Sequence, residues 1–308
     1  MHVCRNQSRG SLRKITSLVV LAAITFVAAE RPALVAHADE PEVDYETDVV
    51  YGKGGDEELK LDIATPKGLD HPVPAIVLIH GGGWRAGNRQ DMKGLTKQAA
   101  EHGYVAATIS YRFAPKYLFP AQVEDAKCAV RYLRSVASER HIDPDKIGAV
   151  GMSAGAHLAM MLGTMDTSDG LEGDGGHADQ PSKVQSVVSF VGPCNLVGEF
   201  PEMSTQILAG FVGGRPSEKV DVCKQASPIT YVNKGDAPML LFFGTRDPLI
   251  PTDQAYQMTS ALTNAGIPAR VELIVGAGHG WAGKEMEHSV ADMWEHFDRS
   301  LKGAAAKK

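Results

Sequence analysis

The stretch Gly151–Gly155, with the sequence GMSAG, decides the fold of this 308-residue chain. It follows the short apolar run 147–150 and leads directly into 156–162, a run of good helix formers. This order of strand, sharp turn and helix places a serine at the tip of a strained elbow. Glycines are needed there because a Cβ would collide with the neighbouring strand or helix. The pattern predicts that the hydroxyl of Ser153 stands clear of the sheet, open to a substrate carbonyl.

A second motif supports this interpretation. Patterns with three fixed positions in five arise by chance, and a glycine-rich loop with a solvated serine is the alternative. The sequence HGGGW at residues 80–84 ends another apolar run, 75–79, and loops of this kind supply backbone N–H groups to an oxyanion hole. Two such motifs at strand ends, in this order, favour a hydrolase with Ser153 as its nucleophile.

The chain resembles the α/β-hydrolase superfamily, and within it the hormone-sensitive-lipase-like and carbohydrate-esterase-like branch. It looks most like the feruloyl and acetyl-xylan esterase group. The resemblance covers nearly the whole chain after its N-terminal segment and is carried by residues 80–84, 110–115, 119–122, 151–155, 244–248 and 278–280. It implies a serine esterase.

Apolar runs alternate with helix-period segments along the chain. The expected strands are 49–51, 59–64, 75–79, 104–109, 147–150, 187–191, 239–243 and 271–275, and the expected helices are 92–101, 121–138, 154–162, 254–265 and 285–301. The first two strands read as an antiparallel edge hairpin with its turn at 52–55, and the unbroken runs suit strands buried on both faces. The prediction is an α/β-hydrolase fold, a mostly parallel, doubly wound sheet of about eight strands with helices on both faces.

Composition and charge narrow the function classes. The chain is 44% apolar and 22% charged, which is ordinary for a globular protein with a substantial core. Its formal charge is −6, and residues 1–38 hold five basic residues and one acidic residue, so the remainder carries −10. A domain with this net negative charge repels nucleic acid, so we expect no nucleic-acid partner.

The N-terminal segment has the layout of a secretory signal peptide. Basic residues precede an apolar core at 15–29, and the sequence AHA at 36–38 offers an A-x-A cleavage site. A second possible cut follows Ala29. An uncleaved membrane anchor is the alternative, but about fifteen apolar residues are short for a span of roughly twenty. We therefore expect a signal peptide at 1–38, a single catalytic domain at 39–308, and a secreted or periplasmic enzyme with no stable membrane span.

A serine nucleophile needs a base within hydrogen-bond reach and an acid that orients the base. In this fold their order is Ser, Asp or Glu, then His. Asp247 lies just past the run 239–243, and His279 follows the run 271–275 between two glycines. The rivals are worse placed, because they precede a strand or lie in helical patterns: Asp236, Asp253, His157, His288 and His296. Asp253 reads as a helix N-cap.

By resemblance, the oxyanion hole consists of the backbone N–H groups of Gly82, Gly83 and Ala154. Trp84 and Trp281 flank the oxyanion loop and the histidine, and each is either a core residue or a ring that stacks on a sugar or aryl group of the substrate. No metal-ligand cluster, phosphate-binding loop or dinucleotide fingerprint is visible in the sequence. The expected chemistry therefore needs neither a metal nor a cofactor.

Three further segments carry expectations. Residues 39–47 read as an acidic, flexible lead-in, and 166–182, rich in Gly and Asp, as a solvated surface loop rather than a calcium site. Residues 192–237 show no clear strand and follow a strand end, so we expect them on the substrate-facing rim. Cys194 and Cys223 lie in that insertion and are expected to form a disulfide, with Cys128 a buried thiol.

The sequence thus predicts a serine esterase that acts on small-molecule or polysaccharide-linked esters. The resemblance adds the substrate, namely acetyl or feruloyl groups on plant cell-wall polysaccharide such as xylan. A general short-chain carboxylesterase or arylesterase is the alternative within enzymes. A non-catalytic binding relative is the alternative from another class, and the intact set of Ser153, Asp247 and His279 weighs against it.

Overall fold

The computed structural model describes residues 42–303, which form eight strands and seven α-helices. The strands are β1 (Val43–Gly54), β2 (Glu57–Pro66), β3 (Val73–Ile79), β4 (Val105–Ile109), β5 (Ile142–Met152), β6 (Ser186–Phe190), β7 (Met239–Gly244) and β8 (Ala269–Ile274). The helices are α1 (Lys93–Glu101), α2 (Ala121–Ser135), α3 (Ala154–Thr164), α4 (Glu202–Val212), α5 (Val220–Gln225), α6 (Asp253–Asn264) and α7 (Lys284–Leu301). The predicted signal peptide lies outside the described residues.

All eight strands form one sheet, in the order β1-β2-β4-β3-β5-β6-β7-β8. β2 pairs antiparallel with β1 and β4, whereas every other pair is parallel. Parallel neighbours require crossover connections, and the helices supply them. The predicted mostly parallel sheet of eight strands is confirmed, and the carboxyl ends of β3 to β8 share one edge.

The central strands are buried on both faces. Val77 and Ile79 of β3 join a core with α2, α3 and α6, whereas the alternating residues Ile76 and Leu78 join a second core with α1 and α7. Side chains of a strand point alternately to opposite faces, so a run without polar residues must be covered on both sides. This is the doubly wound arrangement that the sequence predicts.

Several segments differ from the sequence prediction. Residues 43–47 were expected to be a flexible lead-in, but they belong to β1, where Asp44 pairs with Thr65 in the β1–β2 ladder. The hairpin turn lies at 55–56 rather than 52–55, since residues 52–54 stay paired with β2. The insertion 192–237 contains the two helices α4 and α5, which the sequence analysis did not identify.

The predicted disulfide between Cys194 and Cys223 is wrong. Cys128, Cys194 and Cys223 are all free, buried thiols. The Sγ of Cys194 donates to the carbonyl of Gln254 at 3.1 Å, and that of Cys223 lies 3.9 Å from the carbonyl of Pro216. The two thiols therefore have different partners, one in α6 and one within the insertion. Cys128 is buried, as expected.

The loop 166–182 is less solvated than its composition predicts. Its residue Glu172 forms ion pairs with Lys127 and Arg131 of α2, and both cationic side chains are buried. Within residues 42–303, no group of three or more His, Cys, Asp or Glu side chains is placed to hold a metal ion. Across that same range, none of the helices combines the length and apolar character that a membrane crossing requires.

Candidate active site

Ser153 occupies a strained turn between β5 and α3. Its backbone has φ 55° and ψ −117°, and its N–H donates to the carbonyl of Phe190 at 2.8 Å. The strand and the helix approach so closely that a Cβ at Gly151 would lie 2.2 Å from the carbonyl carbon of Gly155. A Cβ at Gly155 would lie 2.1 Å from the carbonyl oxygen of Ile79. Only glycines fit at these two positions, and the turn holds the hydroxyl at the carboxyl edge of the sheet.

The structure brings the other two predicted side chains to this serine. Nε2 of His279 lies 2.9 Å from Oγ of Ser153, and Nδ1 of His279 lies 2.7 Å from Oδ2 of Asp247. The second carboxylate oxygen of Asp247 accepts the N–H groups of Leu249 and Ile250 at 2.8 and 3.0 Å. The Asp247 side chain is 1% exposed and that of His279 is 20% exposed. The carboxylate is thus fixed by hydrogen bonds and shielded from solvent, whereas the imidazole is partly exposed to solvent.

Asp247 and His279 lie close together because the loop after β7 packs against the loop after β8. A Cβ at Gly244 would lie 2.1 Å from the carbonyl oxygen of Gly278, so the histidine loop rests directly on the end of β7. The N–H of Arg246 donates to the carbonyl of Ala277 at 2.8 Å, and Oγ1 of Thr245 accepts the N–H of Gly276. These bonds fix the histidine loop against the aspartate loop. The sequence analysis did not assign Thr245 this role.

The loop that follows β3 is shaped by its carbonyl groups. The carbonyl of Gly81 accepts from the Tyr111 hydroxyl at 3.3 Å and lies 2.7 Å from Nδ1 of His80. The carbonyl of Gly82 accepts the N–H groups of residues 85 and 86. A trans peptide points its N–H opposite to its C=O. The N–H groups of Gly82 and Gly83 therefore point away from the donors that bind the carbonyls of the same two peptides, namely the Tyr111 hydroxyl and the N–H groups of residues 85 and 86.

These N–H groups lie near the serine. An ideal Cβ on Gly81 would be 3.5 Å from the Cβ of Ser153, which places the loop beside the elbow. The N–H of Ala154 belongs to the first residue of α3, where a helix leaves its amides unpaired. Within the described residues, the loop N–H groups of Gly82 and Gly83 and the N–H of Ala154, at the start of α3, have no backbone acceptor. The arrangement can stabilise an oxyanion formed at a carbonyl attacked by Ser153.

Of the two tryptophans, Trp84 is a core residue. It is 3% exposed, its ring stacks on Phe211 at 4.2 Å, and its Nε1–H donates to Nδ1 of His157 at 3.2 Å. A ring so enclosed cannot stack on a sugar, so the substrate-binding role predicted for Trp84 is wrong. Trp281 is half-buried, and its Nε1–H donates to Ser289 at 3.0 Å. Its contact with substrate stays a prediction.

The rival acid and base candidates have other partners. His157 is fully buried, and Nε2 lies 2.6 Å from the carbonyl of Ala226, so burial lowers the pKa of His157 to about 4 and keeps it neutral. Asp236 pairs with Lys183 at 2.7 Å. Asp253 is the first residue of α6, after the N-cap Thr252, rather than the N-cap itself. These residues serve the structure.

Helix α4 is the part of the site that the sequence analysis missed. Its Ser204 hydroxyl donates to the carbonyl of Leu249 at 2.7 Å, and a Cβ on Gly83 would lie 2.9 Å from Cγ2 of Ile207. The helix therefore touches both the aspartate loop and the oxyanion loop. Its buried residues Ser204, Leu208 and Phe211 recur at helical spacing, and that recurrence was the signal available in the sequence.

A serine elbow at the carboxyl edge of a mostly parallel sheet, with an aspartate and a histidine from the ends of β7 and β8, defines an α/β-hydrolase. The chain belongs to the BD-FAE family, whose model matches residues 61–262. The matched region begins in β2 and ends in α6. It includes Ser153 and Asp247 and stops before His279.

Similar proteins are named esterases. Esterase LipQ of Mycobacterium tuberculosis is 31% identical over 226 residues, which are 71% of this chain and 53% of LipQ. A probable carboxylic ester hydrolase of the same organism, LipM, is 29% identical over 218 residues, which are 68% of this chain and 50% of LipM. The chain thus spans about half the length of the curated relatives it matches.

Among solved structures, a truncated carbohydrate esterase from gut microbiota superposes with a TM-score of 0.75 at 27% identity, over 86% of this chain and 99% of that one. A thermophilic esterase of Thermogutta terrifontis, solved with propionate bound, has a TM-score of 0.68 at 27% identity. It covers 86% of this chain and 94% of its own. Both similarities extend over nearly the whole described structure.

Proposed function

We propose that this protein is a serine esterase in which Ser153 is the nucleophile, His279 the general base and Asp247 the residue that orients the base. The observation that carries the proposal is the continuous hydrogen-bonded series from Ser153 through His279 to Asp247, at 2.9 and 2.7 Å. A base within this distance of a hydroxyl meets the geometric requirement for activating it. The esterase names of the similar proteins support the same reaction.

In the proposed mechanism, the Ser153 hydroxyl attacks the ester carbonyl while Nε2 of His279 takes its proton. The N–H groups of Gly82, Gly83 and Ala154 bind the resulting oxyanion. The bond to the alcohol then breaks, and His279 returns the proton to the departing oxygen. Water, deprotonated by His279, attacks the acyl-enzyme, and the bond from the acyl group to Oγ of Ser153 breaks as His279 returns the proton to that oxygen. Asp247 stabilises the imidazolium at each stage, and every proton that His279 takes it gives back.

The similar proteins and a partly exposed ring near His279 support a proposal for the substrate class. We propose acetyl or feruloyl esters on a plant cell-wall polysaccharide such as xylan as the natural substrates. The gut carbohydrate esterase and the propionate-bound esterase support a short acyl group on a carbohydrate. A half-buried Trp281 next to His279 leaves part of a ring for sugar or aryl contact. A general short-chain carboxylesterase is the alternative.

A substrate panel tests the reaction and the substrate together. Purified protein and Ser153→Ala are assayed on acetylated xylan, methyl ferulate, p-nitrophenyl acetate and a peptide amide. We expect release of acetate or ferulate by the wild type and a loss of at least about 10³-fold in Ser153→Ala, with unchanged thermal unfolding. Hydrolysis of p-nitrophenyl acetate alone would favour the general carboxylesterase. Cleavage of the amide alone would contradict the esterase proposal.

We also propose that the enzyme works outside the cytoplasm, after removal of residues 1–38. The basic, apolar and AHA regions of that segment support export. Mass spectrometry of exported protein is expected to find Asp39, or failing that Glu30, as the first residue. Exported protein that still carries residues 1–29 would contradict cleavage.

A further inference from the structure

Helix α4 is fixed in position relative to the proposed catalytic residues. The carbonyl of Leu249 accepts the Ser204 hydroxyl, and the N–H of the same Leu249 donates to Asp247. At the other end of the helix, the ring of Phe211 stacks on Trp84, the residue that ends the oxyanion loop. One end of α4 is thus tied to the aspartate loop and the other to the oxyanion loop, so that its side chains have defined distances from Ser153.

One stripe of α4 lies at the edge of its buried face. Met203, Ile207 and Gly210 are spaced i, i+4 and i+7, and such residues share a side of a helix. Met203 is 58% exposed, Ile207 is half-buried, and a Cβ at Gly210 would meet nothing within 4 Å. The stripe is therefore apolar and open, unlike the packed residues beside it.

Ile207 covers the oxyanion loop. Its Cγ2 would lie only 2.9 Å from a Cβ on Gly83, so the isoleucine occupies the space above that glycine. An isoleucine branched at Cβ has essentially one χ1 rotamer in a helix and cannot turn aside. This side chain is a fixed wall beside a proposed oxyanion donor, whereas the next turn of the helix has no wall at Gly210.

We infer that Ile207 sets the upper length of the acyl group that the enzyme accepts. This inference rests on the proposed esterase function and favours its acetyl over its feruloyl targets, because a wall that excludes hexanoyl also excludes the longer feruloyl group. Around the attacked carbon, the carbonyl oxygen must face the N–H groups of Gly82, Gly83 and Ala154, and the leaving oxygen must face Nε2 of His279. Ile207 lies against Gly83 on the oxyanion loop. The group that meets it is therefore the acyl chain, and the alcohol departs on the side of His279.

The test is a chain-length profile with one leaving group. For p-nitrophenyl acetate, butyrate and hexanoate, we expect Ile207→Ala to raise the hexanoate-to-acetate ratio of kcat/KM about tenfold, the size of effect expected for one or two methylene groups in an apolar pocket. Gly210→Leu is expected to lower the same ratio. Replacing a helical glycine improves helix propensity, so a drop in this variant does not report unfolding.

Two controls make the result specific. Gln206→Ala changes an exposed residue of the same helix and should leave the ratio at the wild-type value. A series of methyl, ethyl and benzyl acetates varies only the alcohol, and its profile should be the same in Ile207→Ala and wild type. An unchanged acyl profile in Ile207→Ala, or a shift in the alcohol profile instead, would overturn the inference while leaving the esterase proposal intact. Wild-type protein that hydrolyses none of these esters would overturn both.

Discussion

Two glycine-rich segments of this molecule differ in why they contain glycine. In the serine elbow, a Cβ at Gly151 or Gly155 would lie about 2 Å from backbone atoms, so no other residue fits. In the loop 166–182, a Cβ at Gly170 or Gly176 would meet nothing within 4 Å, and the nearest atoms to one at Gly173 or Gly175 would be side-chain atoms of α2, at 2.7 or 2.9 Å, rather than backbone. The elbow glycines allow close packing of strand and helix, whereas these loop glycines serve the turns of the chain.

The loop is held by buried charges instead. Oε1 of Glu172 lies 2.7 Å from Nζ of Lys127, and Oε2 lies 2.6 Å from Nη1 of Arg131. Lys127 also donates to the carbonyl of Gly170, and Ser182 donates to Glu172. One carboxylate thus forms ion pairs with two buried cations and ties the loop to α2. The number of glycines alone does not distinguish the serine elbow from the loop 166–182. The elbow depends on close backbone contact, whereas the loop is held by side-chain charges.

Among the substitutions that compare the glycines and charges of these two segments, Gly151→Ala is expected to have the largest effect. The new Cβ would lie 2.2 Å from the carbonyl carbon of Gly155 and 2.6 Å from the N of Ala156, so β5 and α3 must separate. A displacement of about 1 Å at the nucleophile costs roughly 10²-fold in rate. We expect kcat for p-nitrophenyl acetate to fall by at least that factor. In Gly170→Ala the new Cβ meets no atom within 4 Å, so this variant should keep the wild-type kcat. Equal losses of kcat in both variants would contradict the proposed difference between the two segments.

The second effect is on stability. Glu172→Ala leaves Lys127 and Arg131 buried without their counter-charge, and breaking a buried pair in this way costs about 3 kcal/mol or more. Urea unfolding should show this loss, while kcat of the folded protein stays at its wild-type value. Asp174→Ala removes an exposed acid in the same loop and should cost less than about 0.5 kcal/mol. A Glu172→Ala protein as stable as Asp174→Ala would show that the ion pairs do not anchor the loop.

The smallest effect is a pH dependence of the same anchor. Burial acts to raise the pKa of Glu172, but hydrogen bonds and charges from Lys127, Ser182 and Arg131 outweigh it and hold the pKa below its ordinary value of 4.5. A carboxyl with a lowered folded pKa contributes stability above its unfolded pKa and loses it as the pH falls through the folded value. The stability advantage of wild type over Glu172→Gln should therefore be constant above pH 5 and shrink below 4.5. A difference that stays constant down to pH 3 would contradict this assignment.

Local patterns in the sequence were enough to predict the sheet and the positions of Ser153, Asp247 and His279. Apolar runs mark buried strands, and the glycines of the elbow record a steric requirement that any sequence with this turn must meet. The residues at which strands begin and end were harder to predict from the sequence. β5 begins at Ile142, in a polar segment, because Ile142 pairs with Val73 of the neighbouring strand. Such pairing depends on the partner and leaves no local pattern.

Long-range packing accounts for the errors. Trp84 follows the oxyanion glycines and looked available to substrate, yet Phe211, more than 120 residues later, covers its ring. The predicted Cys194–Cys223 bridge rested on both residues lying in one insertion. In the structure, the thiol of Cys194 lies against the carbonyl of Gln254 and that of Cys223 against the carbonyl of Pro216. Helix α4 was missed because Gly210 is a poor helix former, the buried stripe includes the polar Ser204, and the apolar Met203 lies off that stripe. Each error concerns which distant segment a residue meets.

The most direct test is covalent labelling of the nucleophile. Protein is incubated with diethyl p-nitrophenyl phosphate, the p-nitrophenolate released is counted, and the labelled peptide is identified by mass spectrometry. We expect one equivalent of p-nitrophenolate, a diethylphosphoryl group on Ser153, loss of ester hydrolysis in step with labelling, and no label in Ser153→Ala. A label on another residue, or full ester hydrolysis by protein labelled at Ser153, would contradict Ser153 as the nucleophile.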